Sequence, residues 1–406
     1  MSVIVIGAGA AGMMCAATAA SNGAKVLLIE RNDRCGRKLA ITGKGRCNVT
    51  NACSRDEFLK NVISNPRFLY SALAAFSPED TVAFFESLGV PLKVERGNRV
   101  FPVSDDAADI VSVLQKFCLD CGVEIIKGTV TEIITENGVV CGVKRSDGTV
   151  CKADQVCVAC GGMSYPGTGS DGIGYRLAKD CGHSIVSLRG SLIPWEMQEM
   201  ELCRSLQGLS LKNTALRVES QGRTVYSDFG EMMFTHFGVT GPMILSASTV
   251  LQPGMILHLD LKPALTEEQL DKRLLSDFEK YRLKNLANAF DDLLPSKLIL
   301  PFLSLCELDP LSKVHTLTRV QRQSILHTLK DLPLTAKASR PISEAIVTAG
   351  GVSVKEVDPR TMRSRLCEGL LFCGEILDVD AYTGGFNLQI AFSTGYLAGL
   401  SLADLR

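Results

Sequence analysis

Glycines at positions 7, 9 and 12 and a carboxylate at position 30 form the first grouping in this chain whose types and spacing can do chemistry. In a Gly-x-Gly-x-x-Gly run, Gly7 permits a tight turn, Gly9 lets the backbone approach a pyrophosphate and Gly12 lets a helix pack closely on a strand. Ala10 and Ala11 then open a helix whose free N–H groups favour an anion. Glu30, about twenty residues on, can accept hydrogen bonds from ribose hydroxyls, and Arg31 beside it leaves a 2′-phosphate as the rival reading. A second grouping is GRKLAITGKGRCNVTN, residues 36–51, with three glycines, four basic side chains and no acid. It is not a P-loop, because Gly45 follows Lys44 where Ser or Thr is required. It reads as an extension of the dinucleotide site. Arg37 and Lys38 neutralise the pyrophosphate, while Gly43 and Gly45 let the backbone run close to a flat ring. Cys47 and Asn48 lie in the same loop, and Cys47 is the thiol expected nearest that ring. A third grouping is Gly374-Glu375. A carboxylate there can bind polyol hydroxyls, which a flavin has in its ribityl chain and a nicotinamide dinucleotide lacks. Phe386, Asn387 and Leu388 follow as the start of a helix whose N–H groups would face the flavin edge, where reduced flavin carries negative charge. The cofactor so described is FAD, held non-covalently, since no attachment motif is present.

These residues need elements to hold them. VIVIG, MMCAATAASNG and KVLLIE read as strand, helix and strand, a β-α-β unit of about thirty residues. Residues 56–121 read as largely helical, with Ser77 as an N-cap. From 128 to 162 the pattern alternates at period two, with turns at Asn137-Gly138 and Asp147-Gly148. That predicts a three-stranded meander returning to a buried strand at 154–160, followed by Gly161-Gly162 on the flavin side. Short strands follow from about 190, amphipathic helices over 265–332, and the first fold resumes near 345. The fold class is α/β, Rossmann-like.

Composition narrows the partners. The chain has 406 residues and a net charge of −1, which gives no global reason to expect nucleic acid or an anionic membrane. The uncharged first 24 residues lack a basic start and are broken by glycines, so they are not read as a signal or a span. Fifteen cysteines without a compact framework read as reduced thiols in a cytoplasm. Cys118/Cys121 and Cys157/Cys160 have CxxC spacing. In a strand, an offset of three puts sulfurs on opposite faces, so no metal site is expected there.

With its N-terminal fingerprint, GRKLAITGKGRCNVTN resembles the BaiN/YhiN-type flavoproteins, a group that takes in aminoacetone oxidase-like and NAD(P)/FAD-dependent oxidoreductases. GNRVFPVSDDAADIV (97–111), ACGGMSYPGTGSDGIGYRLAKDCGH (159–183), GEMMFTHFGVTGP (230–242) and GLLFCGEILDVDAYTGGFNLQIAFSTGYLAG (369–399) extend the likeness over almost the whole chain. One departure is Cys160, a thiol where the family pattern has a hydroxyl. The resemblance implies a two-dinucleotide-fold FAD domain at 1–190, an inserted β-barrel-like domain at 191–264, an inserted helical domain at 265–340 and completion of the FAD domain at 341–406. It also implies backbone contacts from Val130 to adenine.

For the reaction, His236 on the glycine-flexible loop FTHFGVTG is the first candidate to donate a proton or anchor a carbonyl. Tyr165 and Arg99 are weaker candidates of the same kind. The implied activity is hydride transfer through flavin N5, with NAD(P)H as a diffusible donor and an enone-type, bile-acid or steroid-like small molecule as acceptor. Oxygen-dependent oxidation of a small amino ketone is one alternative. A flavin-dependent sensor without turnover is the other.

Overall fold

The fold is described from a computed structural model over residues 2–404. The apolar runs form a five-stranded parallel sheet in the order Leu370–Phe372, Gln155–Val158, Ser2–Ile6, Lys25–Glu30, Glu124–Lys127. Its three central strands are nearly continuous in buried side chains, as expected of a sheet covered on both faces. Burying side chains such as Val5, Leu28 and Phe372 contributes about 1.5–3 kcal/mol each.

The first helix, Ala10–Ser21, and the long C-terminal helix, Phe386–Ala403, are both apolar almost all round, and both are buried. They lie directly against each other. A Cβ at Gly395 would run into the Ala11 carbonyl, and one at Gly399 would meet the Cys15 carbonyl oxygen at 2.6 Å. The meander forms as Val130–Glu136, Val139–Arg145 and Val150–Lys152, antiparallel throughout.

The chain divides into two compact units. One holds residues up to 191 and from 341 onward, and the other holds 192–340. Within the second, six strands close into a barrel: Trp195–Met197, Gly238–Thr240, Arg223–Phe234, Ser210–Ser220, Ile256–Asp260 and Leu332–Ser339. Helices Glu267–Lys280, Ser296–Leu305 and Arg319–Lys330 complete that unit.

Two expectations about elements need correction. Helices are found within the 265–332 stretch read as amphipathic, but the helical domain drawn to 340 takes in Leu332–Ser339, which is a barrel strand. Buried Leu332, Leu334 and Ala336 alternate there with exposed Pro333 and Lys337. The stretch 56–121 is also not all helix. Leu92–Glu95 and Arg99–Pro102 form a hairpin, turned by Gly97 and Asn98 at φ +77° and +58°.

Candidate functional site

The phosphate cradle begins where the Ser2–Ile6 strand ends. Gly7 turns the chain at φ +100°, with the Ala159 carbonyl oxygen 2.7 Å from where a Cβ would stand. A Cβ on Gly12 would strike the Gly7 carbonyl, so this glycine is required by packing. Gly9 differs: a Cβ there would meet nothing within 4 Å. Open space therefore lies over the start of the Ala10–Ser21 helix, whose first turn carries no acid. The free N–H groups and the positive end of the helix dipole favour an anion there. This opening is what a pyrophosphate needs, and the residues fit that group.

Glu30 is 8% exposed and fixed from both sides. One carboxylate oxygen accepts from the Ala8 N–H at 2.7 Å, the other from the Asn32 N–H at 2.8 Å and its side-chain amide at 2.7 Å. A carboxylate has about four lone-pair sites, so capacity remains for a ribose hydroxyl. Asn32 also donates to the Thr168 carbonyl and accepts from Arg37. Arg31 is paired with Asp171. Sequence reasoning did not select Asn32 or Asp171.

The third grouping brings an unforeseen pairing. Lys38 Nζ lies 2.9 and 2.6 Å from the two Glu375 oxygens and 2.6 Å from Ser164 Oγ. Glu375 also accepts from the Thr348 N–H at 2.9 Å, while Thr348 Oγ1 accepts from the N–H groups of Met163 and Ser164. Lys38, assigned from the sequence to the pyrophosphate, here holds the carboxylate assigned to the ribityl chain. Ser164 and Thr348 were missed, and their distance along the chain from Lys38 and Glu375 offers no signal. Gly374, at φ +80°, would place a Cβ 2.7 Å from that of Ala11. The strand end bearing Glu375 is thereby brought against the start of the first helix. Gly161, at φ +70°, faces Ser170 and Glu375.

The glycine-rich loop folds back onto the C-terminal helix. With its amide oriented to satisfy both sides, Asn48 donates to the Thr50 and Val100 carbonyls and accepts from the Gly385 N–H at 2.9 Å. Thr50 and Thr81 donate to the buried Gln389 at 2.6 and 2.7 Å. Asn387 spends its amide on the backbone of Ala381 and Tyr382. Leu388 is half-buried in the same first turn. Asn48 and Asn387 therefore shape the site through backbone contacts.

Cys47 has φ +58° and no exposed surface, and burial pushes its thiol up to about 12. Its sulfur is not presented to a ligand in this conformation. The charge expected of the loop is also reduced. Arg46 pairs with Glu95 and Asp105 and lies 4.2 Å from the centre of the Phe101 ring. The loop itself has no acid, but the 92–105 hairpin region supplies two. Lys44 is exposed at φ +61°, and a Cβ on Gly45 would meet open space.

Val130 is 3% exposed and opens the meander. Cys160 turns its sulfur to the Ile6 carbonyl at 3.6 Å. Cys157 belongs to a cluster that spacing did not reveal: the sulfurs of Cys15, Cys157 and Cys373 all lie within 4.8 Å of one another, fully buried in the sheet-and-helix core.

The reaction candidates fall in separate units. Tyr165, 38% exposed at φ +53°, and exposed Arg99, which donates to the Arg96 carbonyl, belong to the first. His236 belongs to the second, exposed on the turn before Gly238–Thr240 and edge-on to Phe237 at 5.0 Å. No described helix is long and apolar enough to cross a membrane.

Comparison with known proteins adds four findings. Residues 1–401 match the family model described as HI0933-like protein Rossmann domain. The chain is 32% identical to the 3-dehydro-bile acid delta(4,6)-reductase of Clostridium scindens, over 98% of both chains. It is 30% identical to the ribosomal RNA dihydrouridine synthase of Escherichia coli, over 98% of this chain and 97% of that one. Among solved structures, the 3-ketosteroid-delta4-(5alpha)-dehydrogenase of Rhodococcus jostii RHA1 superposes with a TM-score of 0.55 at 15% identity, covering 99% of this chain and 96% of that chain. At that identity the likeness concerns the fold alone.

Proposed function

This chain belongs to the HI0933-like Rossmann-domain family and is an FAD-dependent oxidoreductase; from that premise we propose that it reduces a carbon–carbon double bond conjugated to a carbonyl, using NAD(P)H as a diffusible donor. The observation that carries this reading is the pair of full-length relatives. A 3-dehydro-bile acid with a Δ4,6 system and a uridine base look unrelated, yet each presents a double bond conjugated to a carbonyl. Saturating that bond is the chemistry common to both names.

The chain's own residues support it as follows. The open backbone at Gly9 and the first turn of Ala10–Ser21 bind the pyrophosphate. Glu30 takes the adenosine ribose, and Glu375, held in place by Lys38 and Ser164, takes the ribityl hydroxyls. FAD held non-covalently by these residues would supply hydride chemistry through its N5. The N-terminus of Phe386–Ala403 directs its dipole to stabilise negative charge on the ring side of the site. Hydride delivered to the β-carbon of the substrate leaves an enolate that needs a proton at the α-carbon. His236 is our first choice for that donor, with Tyr165 and Arg99 after it.

A ring enone of the bile-acid or steroid kind is the first substrate class, and a uridine in ribosomal RNA is the second, favoured by a relative of almost equal identity. The deciding experiment reduces the purified protein anaerobically with NADH or NADPH and then adds a 3-keto-Δ4 bile acid or unmodified ribosomal RNA. Flavin absorbance should return, with a product two hydrogens heavier. Rapid reoxidation by oxygen with peroxide from aminoacetone, and none by either acceptor, would overturn the reductase reading. Flavin binding without turnover under any donor would leave the sensor.

A further inference from the structure

The second unit carries a surface that the flavin chemistry does not use. Residues 280–290 contain Lys280, Arg282 and Lys284 and no acid, and residues 310–330 contain Lys313, Arg319, Arg322 and Lys330 and no acid. The fold lays the two stretches side by side. The Val314 and His315 N–H groups donate to the carbonyls of Lys284 and Arg282, and the Leu286 N–H donates to that of Ser312. Asn285 and Lys313 form an antiparallel bridge.

Nearby cations have carboxylate partners: Lys280 with Asp292, Arg322 with Asp271. Arg282, Lys284, Lys313 and Arg319 are exposed and, among the described residues, have no carboxylate in ion-pair range. Lys284 instead rests 4.3 Å from the centre of the Tyr281 ring. The same two stretches carry the three most exposed large apolar side chains among the described residues: Val320 at 79%, Leu283 at 77% and Leu311 at 72%.

Clustered like charges repel, and exposed aliphatics gain nothing in water. Both features make physical sense if a polyanion with apolar surface covers them. We propose that this face, formed by Arg282, Lys284, Lys313 and Arg319 with Leu283, Leu311 and Val320, docks folded RNA. The cations contact phosphates and fix the register, while the aliphatic tips meet bases splayed out of a loop. The proposal rests on the ribosomal-RNA reading of the substrate. It locates on one face what the even overall charge of the chain conceals. An anionic lipid surface is the competing occupant, and the relatives named for ribosomal RNA favour RNA.

The test uses the full chain with FAD bound and unmodified ribosomal RNA as the probe. Binding is measured at several salt concentrations, and dihydrouridine formation is followed in parallel. The triple variant Arg282→Glu, Lys284→Glu, Lys313→Glu should bind at least about tenfold more weakly. Its log affinity against log salt should flatten by about 2, since each lost phosphate contact removes roughly 0.7–0.9 from the slope. The neutral triple variant with Gln at the same positions should fall between it and the wild type, and thermal unfolding should be unchanged in both. Leu283→Ser with Val320→Ser should weaken binding without changing the slope.

Wild-type affinity and slope in the charge-reversed protein, with dihydrouridine still formed by the wild type, would overturn the docking face and leave the substrate reading intact. If the wild type neither binds nor modifies the RNA, the substrate reading fails and the docking face fails with it. In that case, binding to phosphatidylglycerol vesicles that the same substitutions abolish would assign the face to a membrane.

Discussion

Of the helices in the flavin unit that start on glycine, those that follow Gly9 and Gly385 have physically opposite starts. At Gly9 the backbone is at φ −82°, and a Cβ would meet nothing within 4 Å. At Gly385 φ is +99°, and a Cβ would be driven into the backbone of Thr50. The first glycine keeps a space open, whereas the second allows two segments of the protein to touch. Glycines before helices look alike in a sequence. One can be replaced without strain yet at the expense of ligand, the other only by moving the chain.

The largest effect should follow from Gly385→Ala. A non-glycine residue at this φ is strained, and the Thr50 contact adds a clash, so stability should fall by at least about 3 kcal/mol. Denaturant unfolding measures it. A loss under 1 kcal/mol would mean that the loop and helix do not meet as described. Next is Glu30→Gln, which removes a charged acceptor near the open start. FAD affinity should drop about tenfold or more, from roughly 1.5–3 kcal/mol for such a bond. FMN, which lacks that ribose, serves as the control, and equal losses for both would indicate general disruption.

Gly9→Ala tests the opposite side of the comparison to Gly385→Ala. Its unfolding midpoint should stay within error of the wild type, while FAD affinity falls about tenfold, or ~1.4 kcal/mol. A destabilised apo-protein would show that the space is not free. The smallest effect concerns the closed side. Because burial pushes the Cys47 thiol up to about 12, iodoacetamide at pH 8 should leave it unlabelled in the native protein. Half-buried Cys121 and Cys151 should react first. Labelling of Cys47 before them would show that the loop opens readily.

The same contrast explains what could be read from the chain beforehand. The turn at Gly7, the close packing at Gly12 and the strand ending at Glu30 were legible because a strand–helix–strand unit imposes fixed spacing on nearby residues. The helix beginning at Phe386 was legible too, since two glycines mark it. Lys38 and Glu375 meet across 337 positions of sequence, and no local pattern records that. Arg46 looked like free positive charge because its partners, Glu95 and Asp105, lie in the hairpin region that had been read as helix. The buried cluster of Cys15, Cys157 and Cys373 draws one residue from a helix, one from a strand and one from a strand end, so CxxC spacing pointed elsewhere. The alternation over 332–339 was visible, but the helical domain was bounded at 340, past the amphipathic run that stops near 332.

The division of the chain has a consequence for the order in which the protein can be made. The strands flanking the insertion, Ile185–Ser191 and Val347–Val352, pair antiparallel, so the flavin unit holds entry and exit side by side. Residues 192–340 are contiguous and can fold as soon as they leave the ribosome. The flavin unit cannot, because its edge strand Leu370–Phe372, Glu375 and the helix against Ala10–Ser21 are synthesised last. During translation, residues 1–191 must therefore wait with apolar sheet and helix surface uncovered, including the bare face of Ala10–Ser21. A nascent chain stalled at 340 should present a finished barrel and no affinity for FAD, and it should be the form most in need of a chaperone.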